Sequence, residues 1–379
     1  MATQAEIEIP GIPATLKITP PGVQPASVPN PKKKLVRRTG HDYSQLTRRI
    51  FQIAFLVLNG WLGVIFYIWV RQFEPGGAST SMPRPAGVEG WLPIAGLMNL
   101  KYLLLTRHVP TLHPAALFLL IAFLAISFLF RKAFCSWLCP VGTISEYLWR
   151  IGRKFFRRNF QAPRWLDLAL RSLKYLLLAF FFVAAFSMGA DEISAFMASP
   201  YGLIADVRML NFFRDLGETA ATVLTVLAIA SLFIQNFWCR YLCPYGALLG
   251  LAALASPTRI RRNAASCIDC AKCAKACPSS LPVDKLITIK SAECTGCLEC
   301  VAVCPAKDTL SLSLPKLPGL APPQVPVWAM AAGITILFFG IVGFAKTSGY
   351  WDSQVPRAIY QQLVPQADQA QHPMPGEDK

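Results

Sequence analysis

The sequence predicts an α-helical membrane bundle of about five transmembrane helices with one small inserted α+β domain. Three observations lead there. Of the 379 residues, 54% are hydrophobic and only 15% charged, whereas soluble domains run about 45–50% apolar and about 25% charged. Five apolar stretches approach the roughly 20 residues that a helix needs to cross the hydrocarbon core. All twelve cysteines fall into four tight motifs, two of them side by side in one hydrophilic interval.

The elements follow in chain order. Residues 1–47 read as a Pro-rich, basic arm. The first 31 residues hold seven prolines and no apolar core segment. That pattern suits a disordered or extended arm rather than a signal peptide. Lys32, Lys33, Lys34, Arg37, Arg38, Arg48 and Arg49 form a cluster that would attract anionic headgroups. Residues 48–258 form the main membrane region, with spans expected at Ile50–Val70, Leu112–Phe130, Ser172–Ala190 and Glu218–Phe237. A fifth, Val325–Ala345, closes the segment 315–345, and 346–379 form a tail. Trp91–Thr106 is apolar but interrupted by Pro93, Gly96, Asn99 and Lys101, as in an interfacial or re-entrant helix. Lys174 near the start of the third span is expected to snorkel to the headgroups. His108 and His113, which flank the outer end of the second span, read as ordinary interfacial polar groups, with proton relay from a quinol as the alternative, and Tyr201, Asp206 and the Asp191–Glu192 pair read likewise.

Loop charge orients the bundle. The formal net charge is +16, and its cations gather on the arm, on 131–171 and on 238–262. The interval 191–217 has only Arg208 and Arg214, beside Asp191, Glu192, Asp206 and Asp215. The positive-inside rule places the N-terminus and residues 131–171 and 238–324 in the cytoplasm. The loop 71–111 and the tail fall on the other side, the periplasm of a bacterial inner membrane. The charge is thus topological, and nucleic acid is not the expected partner.

The strongest chemical signal lies between spans four and five. Cys267, Cys270, Cys273, Cys277 and Pro278 are repeated as Cys294, Cys297, Cys300, Cys304 and Pro305. Both match the bacterial run C-x2-C-x2-C-x3-C-P. Two-residue gaps let three thiolates of one loop wrap three corners of an iron–sulfur cubane, and the fourth ligand comes from the other run. The first 4Fe-4S cluster is therefore assigned Cys267, Cys270, Cys273 and Cys304. The second takes Cys294, Cys297, Cys300 and Cys277. Zinc ribbons would show paired C-x2-C knuckles instead. Residues 259–314 thus read as a two-cluster bacterial-ferredoxin domain.

A second pair of motifs ends spans two and four. Phe134–Gly142 reads FCSWLCPVG and Trp238–Gly246 reads WCRYLCPYG. Repeats at matching positions of a membrane protein commonly flank its site. On a helix Cys135 with Cys139, and Cys239 with Cys243, would each share a face, and Pro140 and Pro244 can break the helix there. Four converging thiols would make a third redox or metal site: an iron–sulfur cluster, transient disulfides, or buried free thiols. Four histidines, none in mid-span, leave no bis-histidine haem site. No C-x-x-C-H, Rossmann fingerprint or P-loop is present. No catalytic residue is assigned.

In this order of spans and motifs, over about residues 45–314, the sequence resembles the NapH, NosR and CcoG (FixG) group of polytopic membrane ferredoxins. The resemblance implies electron transfer between a quinone, membrane or cytosolic donor and a redox partner, as in a quinol dehydrogenase component. It also implies two alternatives: a CcoG-like copper reductase serving oxidase assembly, and a redox-sensing regulatory subunit. CcoG-like proteins carry a β-rich domain after the last span, NosR-like ones a flavin domain before the first, and NapH-like ones usually stop after the ferredoxin domain. The direction of electron flow is not encoded in these motifs.

Overall fold

The computed structural model describes residues 35–76, 82–157, 160, 162–315, 322–370 and 372. Most of the expected N-terminal arm, Lys32–Lys34 included, and the end of the tail lie outside the described residues. Helix α1 (Ser44–Arg71) is followed by a 3-10 turn (Ala86–Trp91), α2 (Pro93–Thr106) and α3 (Pro114–Leu129). Then come α4 (Ala133–Trp137), α5 (Pro140–Phe156), α6 (Arg164–Ser187), α7 (Ala190–Ala198), α8 (Pro200–Leu203) and α9 (Ala205–Arg214). Helix α10 (Glu218–Phe233), a π turn (Trp238–Leu242) and α11 (Pro244–Leu254) complete the second half. The inserted domain holds β1 (Arg259–Arg262), α12 (Lys272–Ala276), α13 (Glu299–Ala302) and β2 (Leu310–Ser313). Helices α14 (Val327–Thr347) and α15 (Arg357–Leu363) follow.

Proline opens α2, α3, α5, α8 and α11. Its fixed φ suits the first turn, where its missing N–H costs nothing. Helix α3 is apolar all round and lies at the centre, packed by α2, α11 and α14. The outer helices turn apolar side chains outward: Ile53, Val57 and Val64 of α1, Phe180 and Val183 of α6, Val226 of α10, Ile336 of α14. Such a belt is what a lipid environment requires.

Among the described residues three helices, α1, α6 and α14, are long and apolar enough to cross a membrane. A fourth arises if α9 and α10, bent by 79°, count as one broken span. The stretch expected at Leu112–Phe130 forms a 16-residue helix. At 1.5 Å per residue it is about 24 Å long, short of a hydrocarbon core of about 30 Å. Of the about five expected spans, three are long helices, one is a bent pair and one is a short central helix.

The inserted segment is a two-stranded antiparallel sheet, Arg259 opposite Ser313 and Arg262 opposite Leu310, with two short helices. Its core is continuous with that of the bundle: Ile260, Leu281, Ile289 and Leu298 join Ile126, Trp137, Leu249 and Met330. The domain is thus seated on the bundle rather than tethered to it.

Two polar groups behave differently from expectation. Lys174 does not snorkel. It is fully buried and donates to both carboxylate oxygens of Glu293, at 2.6 and 2.7 Å. The domain covers that end of α6, and an unpaired buried ammonium would be costly. His113 and Asp206 are not plain interfacial groups either. Arg84 binds Glu89 (2.8 Å) and Asp206 (2.6 Å), while the two ring nitrogens of His113 face Glu89 (3.2 Å) and the Gly202 carbonyl (2.8 Å). This tetrad staples the 3-10 turn, α3 and α9 at the end of the bundle away from the cysteines.

Candidate iron–sulfur sites

The two ferredoxin-like runs fold alike. Asp269 and Ala271 of the first, and Gly296 and Leu298 of the second, all have positive φ. Alternating left-handed residues turn successive backbone N–H groups inward, forming the anion-holding concavities common at iron–sulfur sites. Cys267, Cys270, Cys273 and Cys304 line one cavity. Cys277, Cys294, Cys297 and Cys300 line a second. These are the two quartets that the spacing suggests, each with its fourth cysteine from the opposite run. Among the described residues no three His, Cys, Asp or Glu side chains converge as they would around a single ion. Each cavity is ringed by four soft sulfur donors, the donor set that a 4Fe-4S cluster takes.

The four remaining cysteines also meet. Cys135, Cys139, Cys239 and Cys243 line one large apolar cavity of about 800 Å³, with Lys132, Tyr245, Phe123 and Phe338. The expected pairing on one continuous helix face is replaced by a break. Cys135 lies in the short α4, and Cys139 caps α5, whose first residue is Pro140. The second repeat does the same with a π turn in place of α4: Cys243 caps α11 at Pro244. A cap position frees the thiol from the helix and turns it to backbone donors. Cys139 Sγ accepts from Gly142 N (3.5 Å) and Cys243 Sγ from Gly246 N (3.2 Å). Gly142 is required because a Cβ there would lie 2.2 Å from the Cys135 carbonyl oxygen.

Burial pushes the Cys135 thiol up to about 12, with Lys132 pulling the other way, and the Cys139 thiol up to about 11. Cys239 and Cys243 are raised for the same reason. Left to themselves these thiols keep their protons. A cationic group in the space between them would favour the thiolates. Soft sulfur donors ringing that space fit iron–sulfur ligation.

A smaller cavity links the two kinds of site. It is lined by Cys135 and Cys239 on one side and by Pro278, Thr295 and Cys297 on the other, with Lys132 and Glu293 between. Direct bonds hold this seam. Ser136 Oγ donates to the Thr295 carbonyl (2.7 Å) and Trp137 Nε1 to the Gly296 carbonyl (3.2 Å). Arg48, fully buried, binds Glu146 (2.7 Å) and Glu299 (2.9 Å), and Gln45 donates to the Cys297 carbonyl (3.0 Å). Burial would raise the Glu293 carboxyl, but Lys132 and Lys174 hold it below its usual value. Motif reading misses Lys132, Glu146, Glu293 and Gly296 as parts of this seam, because single charges and one glycine carry no periodic signal.

Thiol quartets on a helical membrane scaffold define the class: a membrane iron–sulfur protein of electron transport. A 4Fe-4S binding domain model matches residues 112–159 and again 217–263, and a 4Fe-4S dicluster domain model matches 259–305. The chain belongs to the family of "Putative electron transport protein YccM" of Escherichia coli strain K12, with 51% identity over 86% of this chain and 91% of that one. It is also similar to "Regulatory protein NosR" of Pseudomonas aeruginosa, at 34% identity over 42% of this chain and 22% of the relative. "Ferredoxin-type protein NapH" of Haemophilus influenzae is 25% identical over 62% of this chain and 74% of the relative. No solved structure matches the chain.

Proposed function

We propose that the protein conducts single electrons between a soluble donor or acceptor at the first cysteine quartet and a quinone or membrane partner at the large apolar cavity. The observation that carries this reading is the order of the cavities. Cysteines of the first and second quartets share one packed core, Cys297 of the second shares a cavity with Cys135 and Cys239, and those two open into about 800 Å³ of apolar space. That volume falls in the range of small-molecule sites. Cys267, Cys270, Cys273 and Cys304 hold one 4Fe-4S cluster and Cys294, Cys297, Cys300 and Cys277 the other. The 4Fe-4S binding domain match to both motif repeats supports a third cluster on Cys135, Cys139, Cys239 and Cys243. When bound, these clusters supply one-electron storage and transfer at potentials set by hydrogen bonds to sulfur and by exposure.

The chain's own residues do the rest. Arg48, Glu146 and Glu299 fix the second run against the bundle. Phe134, Phe123 and Tyr245 wall the cavity with aromatic rings and keep water from the motif thiols. We assign five crossings, α1, α3, α6, α10 and α14, with the cysteine face in the cytoplasm of a bacterial inner membrane, as the positive loops require. Anaerobic purification with iron and sulfide counts tests this reading. About twelve irons per chain are expected, falling to about eight in a Cys135→Ser/Cys139→Ser variant. Stoichiometric zinc in place of iron sinks it.

A further inference from the structure

Of the twelve cysteines only Cys270 is exposed. The second quartet has two buried and two half-buried cysteines, so the first quartet offers a soluble partner the more open approach. The side chains around that edge have a definite charge. The segment just before α1 is tied there by backbone: Arg37 pairs antiparallel with Ala306, Arg38 N donates to the Pro305 carbonyl (3.0 Å), and Lys307 N donates to the Val36 carbonyl (2.9 Å). Arg37, Arg38 and Lys307 are exposed beside Cys304 and Pro305. Lys272 lines the first quartet's cavity, and Lys275 shares its face of α12. Both are exposed, so five exposed cations face two exposed acids, Asp269 and Asp308, and the half-buried Asp284 of the same cavity. Arg38 is engaged with Asp42 (2.7 Å) and Arg262 approaches Asp269 (3.7 Å), so among the described residues the charge without an ion pair lies on Arg37, Lys272, Lys275 and Lys307.

We infer that this basic rim is the docking surface for an acidic, soluble, single-electron carrier protein of the ferredoxin or flavodoxin kind. The inference rests on the iron–sulfur reading of the first quartet. In each encounter one electron crosses at the Cys270 edge, the carrier being oxidised and the chain reduced, or the reverse. Opposed charge speeds and orients such encounters and loses its effect as salt rises. The same cations could bind anionic headgroups. Against that, they surround the exposed thiol, and their backbone is hydrogen-bonded to the cysteine-bearing loop rather than placed on the apolar belt.

The test uses the full holo-chain in nanodiscs of zwitterionic lipid, with binding of an acidic plant-type ferredoxin measured as salt is varied. Wild-type affinity is expected to fall about tenfold or more as salt rises from low to physiological. Arg37→Glu/Lys272→Glu/Lys307→Glu is expected to lose at least about tenfold at low salt with iron and sulfide unchanged. Asp269→Lys/Asp308→Lys, which adds cations, is expected to tighten binding. Unchanged affinity in a variant that retains its iron overturns the docking surface alone. Equal binding of the basic cytochrome c overturns it as well. So does a triple variant that loses only its attachment to phosphatidylglycerol vesicles, which assigns the rim to lipid. A chain that holds no iron overturns the cluster reading and this inference with it.

Discussion

The two cysteine runs of the inserted domain share a backbone, yet the residues between the cysteines of the second all differ from their counterparts in the first. Before the first cysteine stand Ser266 and Glu293. Ser266 bonds only within the domain, to Thr309 (2.9 Å), whereas Glu293 reaches the buried Lys174 of the bundle. Between the first two cysteines stand Asp269, which is exposed, and Gly296, pressed against the chain at Phe130. Before the third stand Lys272, exposed, and Glu299, paired with Arg48 and Arg150. The ligand pattern is symmetric and the environment is not. One run is built to be reached from water and the other to be locked to the membrane region. The difference lies in the residues between the cysteines, which a ligand motif leaves free.

The largest expected effect comes from removing the charge that locks the second run. Glu293→Gln leaves Lys132 and Lys174 buried beside a neutral amide. Stranding a buried ammonium costs about 3–5 kcal/mol. The counterpart Ser266→Ala should cost about 1 kcal/mol, one neutral hydrogen bond. Amide hydrogen exchange over residues 293–300 against 266–273 reads both. Equal protection loss in the two runs would erase the distinction. The pH dependence has a definite sign. Glu293 is held below its ordinary value of 4.5, so its contribution is complete above that value. It is lost as pH falls through the depressed one. Wild type and Glu293→Gln should therefore differ most near neutral pH and converge in acid.

The second comparison uses one substitution at two equivalent positions. Gly296 has φ +62, and a Cβ there would lie 2.8 Å from the Phe130 carbonyl oxygen. Gly296→Ala combines left-handed strain with a contact that the backbone must relieve, about 2–3 kcal/mol together. Asp269 has the same left-handed φ but faces solvent. Asp269→Ala should cost less than about 1 kcal/mol. Limited proteolysis of the domain in nanodiscs distinguishes them, because only the first should speed its release from the bundle.

How much of this was legible before the structure follows the range of each interaction. Helices α1, α6 and α14 declare themselves through local hydropathy. The two ferredoxin runs group their cysteines through fixed spacing, and the structure brings together the same two sets of four around two cavities. Pro140 and Pro244 signal a helix break next to each motif, but helical spacing puts Cys135 with Cys139 and Cys239 with Cys243 on one continuous face, and nothing local shows that the second thiol caps the next helix. Helix α3 is apolar enough for a span but short and buried among its neighbours, and apolar composition does not distinguish burial in protein from burial in lipid. Lys174 was read as snorkelling because its partner, Glu293, lies 119 residues away. The same holds for Arg48 with Glu146, 98 residues apart. The locking residues are single charges whose partners only tertiary structure supplies.

A milder cut at the seam keeps its shape and removes one bond. Trp137 is fully buried, and its indole N–H donates to the Gly296 carbonyl. Trp137→Phe removes that donor and leaves the carbonyl to find another. The bond itself accounts for about 1 kcal/mol, with a further contribution from the smaller ring. Protection of the Thr295–Leu298 amides should fall by roughly tenfold while that of Ile268–Ala271 is unchanged.

The smallest effect on stability is expected at the first run, and there the comparison is sharpest. Lys272 is exposed and corresponds to Glu299, which binds two arginines of the bundle. Lys272→Glu should change stability by no more than about 0.5 kcal/mol, as exposed substitutions do. Glu299→Lys places a cation against Arg48 and Arg150 and should destabilise by several times that amount. Thermal loss of visible absorbance from the holo-protein reads both. If the Lys272 substitution proved as damaging, the first run would be held by contacts as specific as those of the second. Its exposed edge would then be a structural surface rather than one left open for exchange with a partner.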